Sequence, residues 1–223
     1  FIFLVNKIRP HGLYLFIKFF SFDESLVDLI PKLSSKEKNF IKRYRPWGII
    51  LFTRNIKNIQ QTQKLTSEIR KIFNDKKYPI LIDQEGGRVN RLKNLISFDN
   101  LTSEFFGKKF IKNYLEFTTY YNLFIDKTSY LLRLIGVNIN TCPVLDLKIK
   151  GSSNIIGDRS FSRNPKIVSK IGDICINLFH KNGIGTVIKH IPGHGLAKVD
   201  SHYFTPVVQK ELKYLGKNDF FPF

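Results

Sequence analysis

The sequence predicts an α/β fold with a parallel sheet, and two observations carry that prediction. Short apolar runs of strand length alternate with longer stretches of helical periodicity, in the order strand, helix, strand, helix. Four of the apolar runs end in polar groups: Arg54, Asp83 to Arg88, Asp146, and Lys189 to His202. Ligand sites of such sheets lie beyond the C-terminal ends of the strands. Four endings of this kind are harder to explain as solvated turns than any one of them would be.

The elements follow in chain order. The N-terminal stretch FIFLVNKIRPHGLYLFIKFFSF is strongly apolar but is interrupted by Lys7, Arg9 and Lys18. No run approaches the roughly 20 residues of a membrane span. The charges and small residues of a signal peptide are not in their places. A first strand is expected near Leu13–Phe19. Ser34-Ser35-Lys36-Glu37 has the form of a capping box, with Phe40, Ile41 and Tyr44 at helical spacing and Pro46 as the stop. Gly48 to Phe52 reads as a buried strand, and 58–74 as a helix with Leu65, Ile69, Ile72 and Phe73 on one face. Pro79 to Ile82 is the next strand. A long helical pattern spans about 112–135 and stops at Gly136. A run through Val137, Ile139 and Pro143-Val144-Leu145 ends in Asp146. Asn164 caps a helix that has Pro165 at its first position and Ile167, Ile171, Ile174 and Leu178 as its apolar stripe. Gly185 to Ile188 is the last strand, for about five in all. The chain shows no internal repeat or linker, so residues 1–223 read as a single domain.

The formal charge is +18. The lysines are spread along the chain without a basic block, and Lys, Asn, Ile and Phe are inflated together as AT-rich coding produces. No specific nucleic-acid partner is expected, while an anionic substrate or wall polymer is compatible with the charge. Cys142 and Cys175 sit among apolar neighbours without C-x-x-C spacing and read as two buried thiols of a reducing compartment. There is no methionine, and the chain stops within the apolar sequence Asp219 to Phe223, which reads as a fragment.

The densest chemistry lies in TVIKHIPGHGLAKVDSH, 186–202, which holds three of the five histidines. His190 and His194 are four apart, but Pro192 and Gly193 between them disfavour the helix a zinc pair would use, so no metal is expected. No G-x-S-x-G elbow and no glycine-rich phosphate loop is present. In Asp200-Ser201-His202 a carboxylate two residues from an imidazole can fix its tautomer and stabilise the imidazolium. Taken alone, that triplet is an ordinary surface pattern.

LIDQEGGRVNRL (81–92), IGDRSF (156–161) and KHIPGHG followed by DSH (189–202) together resemble the bacterial β-N-acetylglucosaminidases of glycoside hydrolase family 3. WGIILFTRN (47–55) and CPVLD (142–146) resemble the same family in the same order, and the similarity runs over roughly 33–223. The resemblance implies a (β/α)8 TIM-type barrel, incomplete in this chain. It implies His202 as general acid/base with Asp200 as its partner, and Asp83, Arg91, Arg159, Lys189 and His190 as sugar-binding residues. Donors on Arg and Lys and acceptors on Asp suit sugar hydroxyls and an acetamido oxygen. His194 reads as support for the loop, Glu85 and Arg88 as supporting residues or an internal ion pair, and Arg54 and Asp158 as shaping the pocket. The family's carboxylate nucleophile follows a later strand, beyond residue 223. A cytoplasmic enzyme of cell-wall recycling is implied, acting on a small carbohydrate or muropeptide substrate without a cofactor. Alternatives are a family 3 β-glucosidase-like enzyme and a truncated, non-catalytic sugar-binding protein.

Overall fold

A computed structural model describes residues 2–9, 12–18, 32–149, 154–190, 194–197 and 207–223. In chain order the elements are β1 (Ile2–Arg9), β2 (Gly12–Lys18), α1 (Ser35–Tyr44), β3 (Gly48–Leu51), α2 (Ile59–Phe73), β4 (Ile80–Ile82), α3 (Ser103–Lys112), α4 (Tyr114–Leu134), β5 (Ile139–Asn140), α5 (Pro165–Lys181), β6 (Gly185–Thr186) and α6 (Leu212–Lys217). They fall into two compact units. The first comprises Phe1–Gln84, Arg91–Ser97 and Tyr130–Asn140; the second comprises Glu85–Asn90, Phe98–Ser129 and Thr141–Phe223.

In the first unit the strand order is β2-β1-β3-β4-β5. The β3–β4 and β4–β5 pairs are parallel, as the sequence predicts, with Ile50 opposite Leu81 and Ile82 opposite Asn140. Both β3 and β4 are buried along their whole length, which is why they read as continuous apolar runs. The edge differs from expectation. The strand expected near Leu13–Phe19 is β2, but it is not the first: β1 precedes it, the two form an antiparallel hairpin, and β1 pairs antiparallel with β3; Phe19 lies outside the described residues. Helix α1 starts on the predicted capping box, in which Ser34 Oγ accepts from the Glu37 N–H and the Glu37 carboxylate accepts from the Ser34 N–H. Ile41 is buried, whereas Tyr44 in the last turn is exposed. Helix α2 begins at Asn58, whose side chain accepts from Gln61 N. Its buried face is Thr62, Leu65, Thr66 and Ile69. Gln63 and Thr66 donate to the carbonyls of Leu134 and Ile135, which satisfies the C-terminal end of α4 just before Gly136.

The long helical pattern expected over about 112–135 is α4, and a further helix, α3, precedes it in the second unit. Asn113 separates α3 from α4, and α3 begins at Ser103, nine residues before the expected start of the pattern, on the Thr102 N-cap that accepts from Phe105 N. The core here is aromatic: the rings of Phe106, Phe117, Tyr121 and Phe124 contact one another along α3 and α4, and Phe161 meets Tyr121 edge-on. Helix α5 starts as predicted, with Asn164 accepting from Lys166 N and Pro165 in the first turn. Its buried stripe is Val168, Ile171, Cys175 and Phe179, so of the predicted set only Ile171 is fully covered. The face turns because α5 approaches the chain closely at Gly172, where a Cβ would lie 2.7 Å from the Leu145 side chain. Cys142 and Cys175 are both buried and unoxidised. Burial pushes the Cys175 thiol up to about 12, despite its hydrogen bond with the Tyr121 hydroxyl, and leaves it unreactive. Among the described residues no helix is long and apolar enough to cross a membrane.

Candidate active site

In the first unit β4 delivers Asp83 directly from its last residue, Ile82. The following residue, Gln84, is locked to the end of β5: its N–H donates to Asn140 Oδ1 at 3.0 Å, and Asn140 Nδ2 donates back to its carbonyl at 2.9 Å. The Gln84 side chain then accepts from Leu92 N at 3.1 Å, fixing the chain on which Arg91 lies. Arg91 Nη2 faces Asp83 Oδ2 at 3.8 Å, an ion pair too long to be a direct hydrogen bond. The guanidiniums of Arg54 and Arg91 both lie over the Phe52 ring, at 4.9 and 5.4 Å from its centroid. Asp83 and Arg91 are thus brought together, with Arg54 beside them on Phe52.

The second unit holds the remaining described candidates in one hydrogen-bonded cluster. Gly86 and Gly87 turn the chain so that Glu85 points inward. Gly86 has φ +89°, and a Cβ there would come within 2.3 Å of the Leu101 carbonyl oxygen, so no other residue fits this turn. The Glu85 carboxylate accepts from Arg159 Nε at 2.8 Å and Nη2 at 2.9 Å, and from Lys189 Nζ at 2.7 Å. Its side chain is 3% exposed, against 14% for both cations. Burial alone would push its carboxyl up, but the Lys189 charge and the Arg159 hydrogen bonds outweigh burial and hold it below the usual carboxylate range. Lys189 Nζ also donates to Thr141 Oγ1 at 3.1 Å. Arg88 supports the same cluster from outside. It donates to the carbonyls of Asn154, Ile155 and Ile156 and pairs with Asp158 at 3.1 Å, fastening the turn that presents Arg159. Glu85 and Arg88 are therefore each ion-paired, though to different partners.

His190 sits next to this pair of cations. Val144 and Lys189 form a parallel bridge, with Leu145 N donating to Lys189 O at 2.7 Å and Lys189 N donating to Pro143 O at 3.2 Å. The bridge sets Asp146 beside His190. Asp146 is fully buried and accepts from His190 Nδ1 at 2.6 Å, from the His190 backbone N–H at 3.2 Å, and from the His194 backbone N–H. The His190 and His194 rings meet edge to face, with centroids 5.8 Å apart. Among the described residues no group of three His, Cys, Asp or Glu side chains is arranged to hold a metal ion. Asp200 and His202 lie outside the described residues, as do Pro192 and Gly193.

The glycosyl hydrolase family 3 N-terminal domain model matches residues 19–223. The chain belongs to glycosyl hydrolase family 3. It is 36% identical over 176 residues to a beta-hexosaminidase of Hydrogenovibrio crunogenus, covering 79% of this chain and 48% of that protein. It is 34% identical over 204 residues to a beta-hexosaminidase of Methylococcus capsulatus, covering 89% of this chain and 58% of that protein. Native NagZ from Neisseria gonorrhoeae superposes with a TM-score of 0.77 at 31% identity, over 86% of this chain and 55% of that structure. A complex of the same protein with N-trifluoroacetyl-D-glucosamine superposes with a TM-score of 0.74 at 30% identity, over 86% of this chain and 56% of that chain. This chain thus spans about half the length of such family 3 relatives. The family fixes the fold class as the α/β barrel type expected, of which the chain carries a part.

The sequence did not expose the roles of Thr141 and Asn140, nor that Asp146 holds His190. Thr141 and Asn140 carry no motif of their own, and their partners are 48 and 56 residues away. For Asp146 the signal was present, as a strand-end carboxylate within CPVLD, but its partner could not be read from order alone.

Proposed function

We propose that this protein is a glycoside hydrolase that removes a terminal, non-reducing N-acetylglucosamine from β-linked substrates such as muropeptide fragments. Asp83, Arg91, Arg159, Lys189 and His190 bind the sugar, and Asp200 and His202 form the acid/base dyad of a retaining mechanism. The observation that carries this reading is the Glu85 cluster: Arg159 and Lys189 are held by a buried carboxylate beside an oriented His190, all within family 3 motifs. Ion-paired donors fixed in this way are preorganised for neutral, hydroxyl-rich ligands. The relatives named beta-hexosaminidases and the structural neighbour solved with an N-acylated glucosamine support the same sugar.

In the first step a carboxylate nucleophile, supplied by a later strand of the family domain, attacks the anomeric carbon as the glycosidic C–O bond breaks. His202 gives its proton to the leaving oxygen. In the second step His202 takes a proton from water, which displaces the enzyme carboxylate with net retention. Asp200 stabilises the imidazolium form. No cofactor enters either step. Residues 1–223 act as one catalytic domain in this reading, since one family model runs through both units. The family resemblance supports a cytoplasmic role in cell-wall recycling.

The test is hydrolysis of aryl N-acetyl-β-glucosaminide by the full-length protein, beside the aryl β-glucoside. Preference for the N-acetylated substrate is expected, and preference for the glucoside would overturn the assignment. His202→Ala should cut turnover strongly, with a smaller loss when the leaving group needs little protonation. Equal losses for good and poor leaving groups would remove His202 from the acid role.

A further inference from the structure

Asp146 stands out among the polar groups to which the mechanism gives no part. It is fully buried, and among the described residues its ion-pair partner is His190 alone. Its two oxygens divide the surrounding N–H groups. Oδ2 accepts from His190 twice, from the ring Nδ1 at 2.6 Å and from the backbone N–H at 3.2 Å. Oδ1 accepts from the His194 backbone N–H. An acceptor-only group at this distance from Nδ1 requires the ring proton there. The two backbone N–H groups also hold the carboxylate in place, so it cannot turn away and release the ring. The segment that follows is docked as tightly: a Cβ on Gly195 would lie 2.2 Å from the Leu147 carbonyl oxygen, immediately after Asp146.

The consequence for a ligand follows from valence. With the proton on Nδ1, the neutral imidazole has a bare Nε2, an acceptor. Lys189 and Arg159 carry donors only. Next to two cations His190 would thus be a ring that accepts a hydroxyl hydrogen. We propose that Asp146 is the positioning residue of the sugar site: it locks His190 in the Nδ1–H tautomer, so that Nε2 accepts the hydrogen of a sugar hydroxyl. Through the His194 N–H it also holds the segment 194–197. The assignment rests on the sugar-binding role proposed above for His190, but the tautomer itself does not.

The test therefore has two arms. In the first, long-range nitrogen-15 to ring-proton correlation on full-length protein with labelled histidine reads the tautomer near neutral pH. The His190 signals are assigned by their loss in His190→Gln. A protonated Nδ1 and bare Nε2 are expected, and a protonated Nε2, with Nδ1 bare or protonated, would overturn the proposal without any variant at Asp146. In the second arm, kcat/KM for an aryl N-acetyl-β-glucosaminide is measured for Asp146→Asn, His190→Gln and the double variant. An amide at 146 cannot accept on both sides, so one donor must face either His194 N–H or His190 Nδ1. Asp146→Asn is expected to lower kcat/KM by about 100-fold or more, as loss of the correct tautomer does elsewhere. In the His190→Gln background its cost should fall below about 10-fold, the non-additivity of residues acting through one another. Full additivity would reduce Asp146 to a structural residue and overturn the proposal. Wild-type protein that turns over no N-acetylglucosaminide would instead fail the glycosidase reading, while the first arm still decides the tautomer.

Discussion

Glu85 shows how much of this site depends on single charges. It lies between Arg159 and Lys189 with only 3% of its side chain exposed. Replacing it by Gln would leave two cations facing each other in a dry setting, and removal of one partner from a buried pair costs about 3–5 kcal/mol. Glu85→Gln should lower stability by that amount near neutral pH, measured by denaturant unfolding. The pH dependence has a definite sign. The folded carboxyl titrates below its ordinary value of 4.5. Its contribution is therefore complete above the unfolded value and is lost as the pH falls through the folded one. The gap between wild type and Glu85→Gln should narrow on acidification below that range. A gap that stays constant or widens would show that the charge is not what holds the cluster together.

At the scale of elements, turns and caps decide where the site residues stand. The strand β4 is only three residues long, yet the turn after it places Asp83, Glu85, Arg88 and Arg91 within nine positions. Gly86→Ala forces a Cβ into the Leu101 carbonyl at positive φ, and a strained backbone of this kind costs about 1–3 kcal/mol before any clash is counted. A loss at the upper end of that range or beyond is expected in thermal unfolding, with loss of sugar binding, and a neutral substitution would contradict the turn geometry. Helix α3 was missed because Asn113 interrupts the periodicity and because Gly107 lies inside it. That glycine is required by packing, since a Cβ would overlap the Phe161 carbonyl. The cue for its start was Thr102 followed by Ser103 and Glu104. Thr102→Ala should cost about 1 kcal/mol, and Thr102→Ser should recover most of it, since the hydroxyl is the capping group. Equal loss in both variants would point to methyl packing instead.

For the molecule as a whole, the charge of +18 invites a nucleic-acid reading that the site chemistry does not share. The basic residues include site cations already committed to carboxylates, such as Arg88, Arg91, Arg159 and Lys189. Binding to random-sequence duplex DNA should be weak, with Kd around 10⁻⁴–10⁻⁶ M at physiological salt, and should fall steeply as salt rises. Tight, sequence-dependent binding in fluorescence titrations that survives about 0.2 M salt would require a different function.

Local sequence alone determined the parallel alternation, the capping box at Ser34 and the N-cap at Asn164, the buried strands β3 and β4, and the family motifs. Each depends on neighbours a few positions apart, where periodicity and turn chemistry act directly. Only the tertiary structure decided the antiparallel hairpin at the sheet edge, the buried face of α5, and the partners of the buried charges. Glu85 meets Arg159 and Lys189 across 74 and 104 residues, and Asp146 meets His190 across 44. Which carboxylate neutralises which cation is set by how the chain packs, because burial makes an unpartnered charge too costly to keep and the fold selects the neighbour that satisfies it.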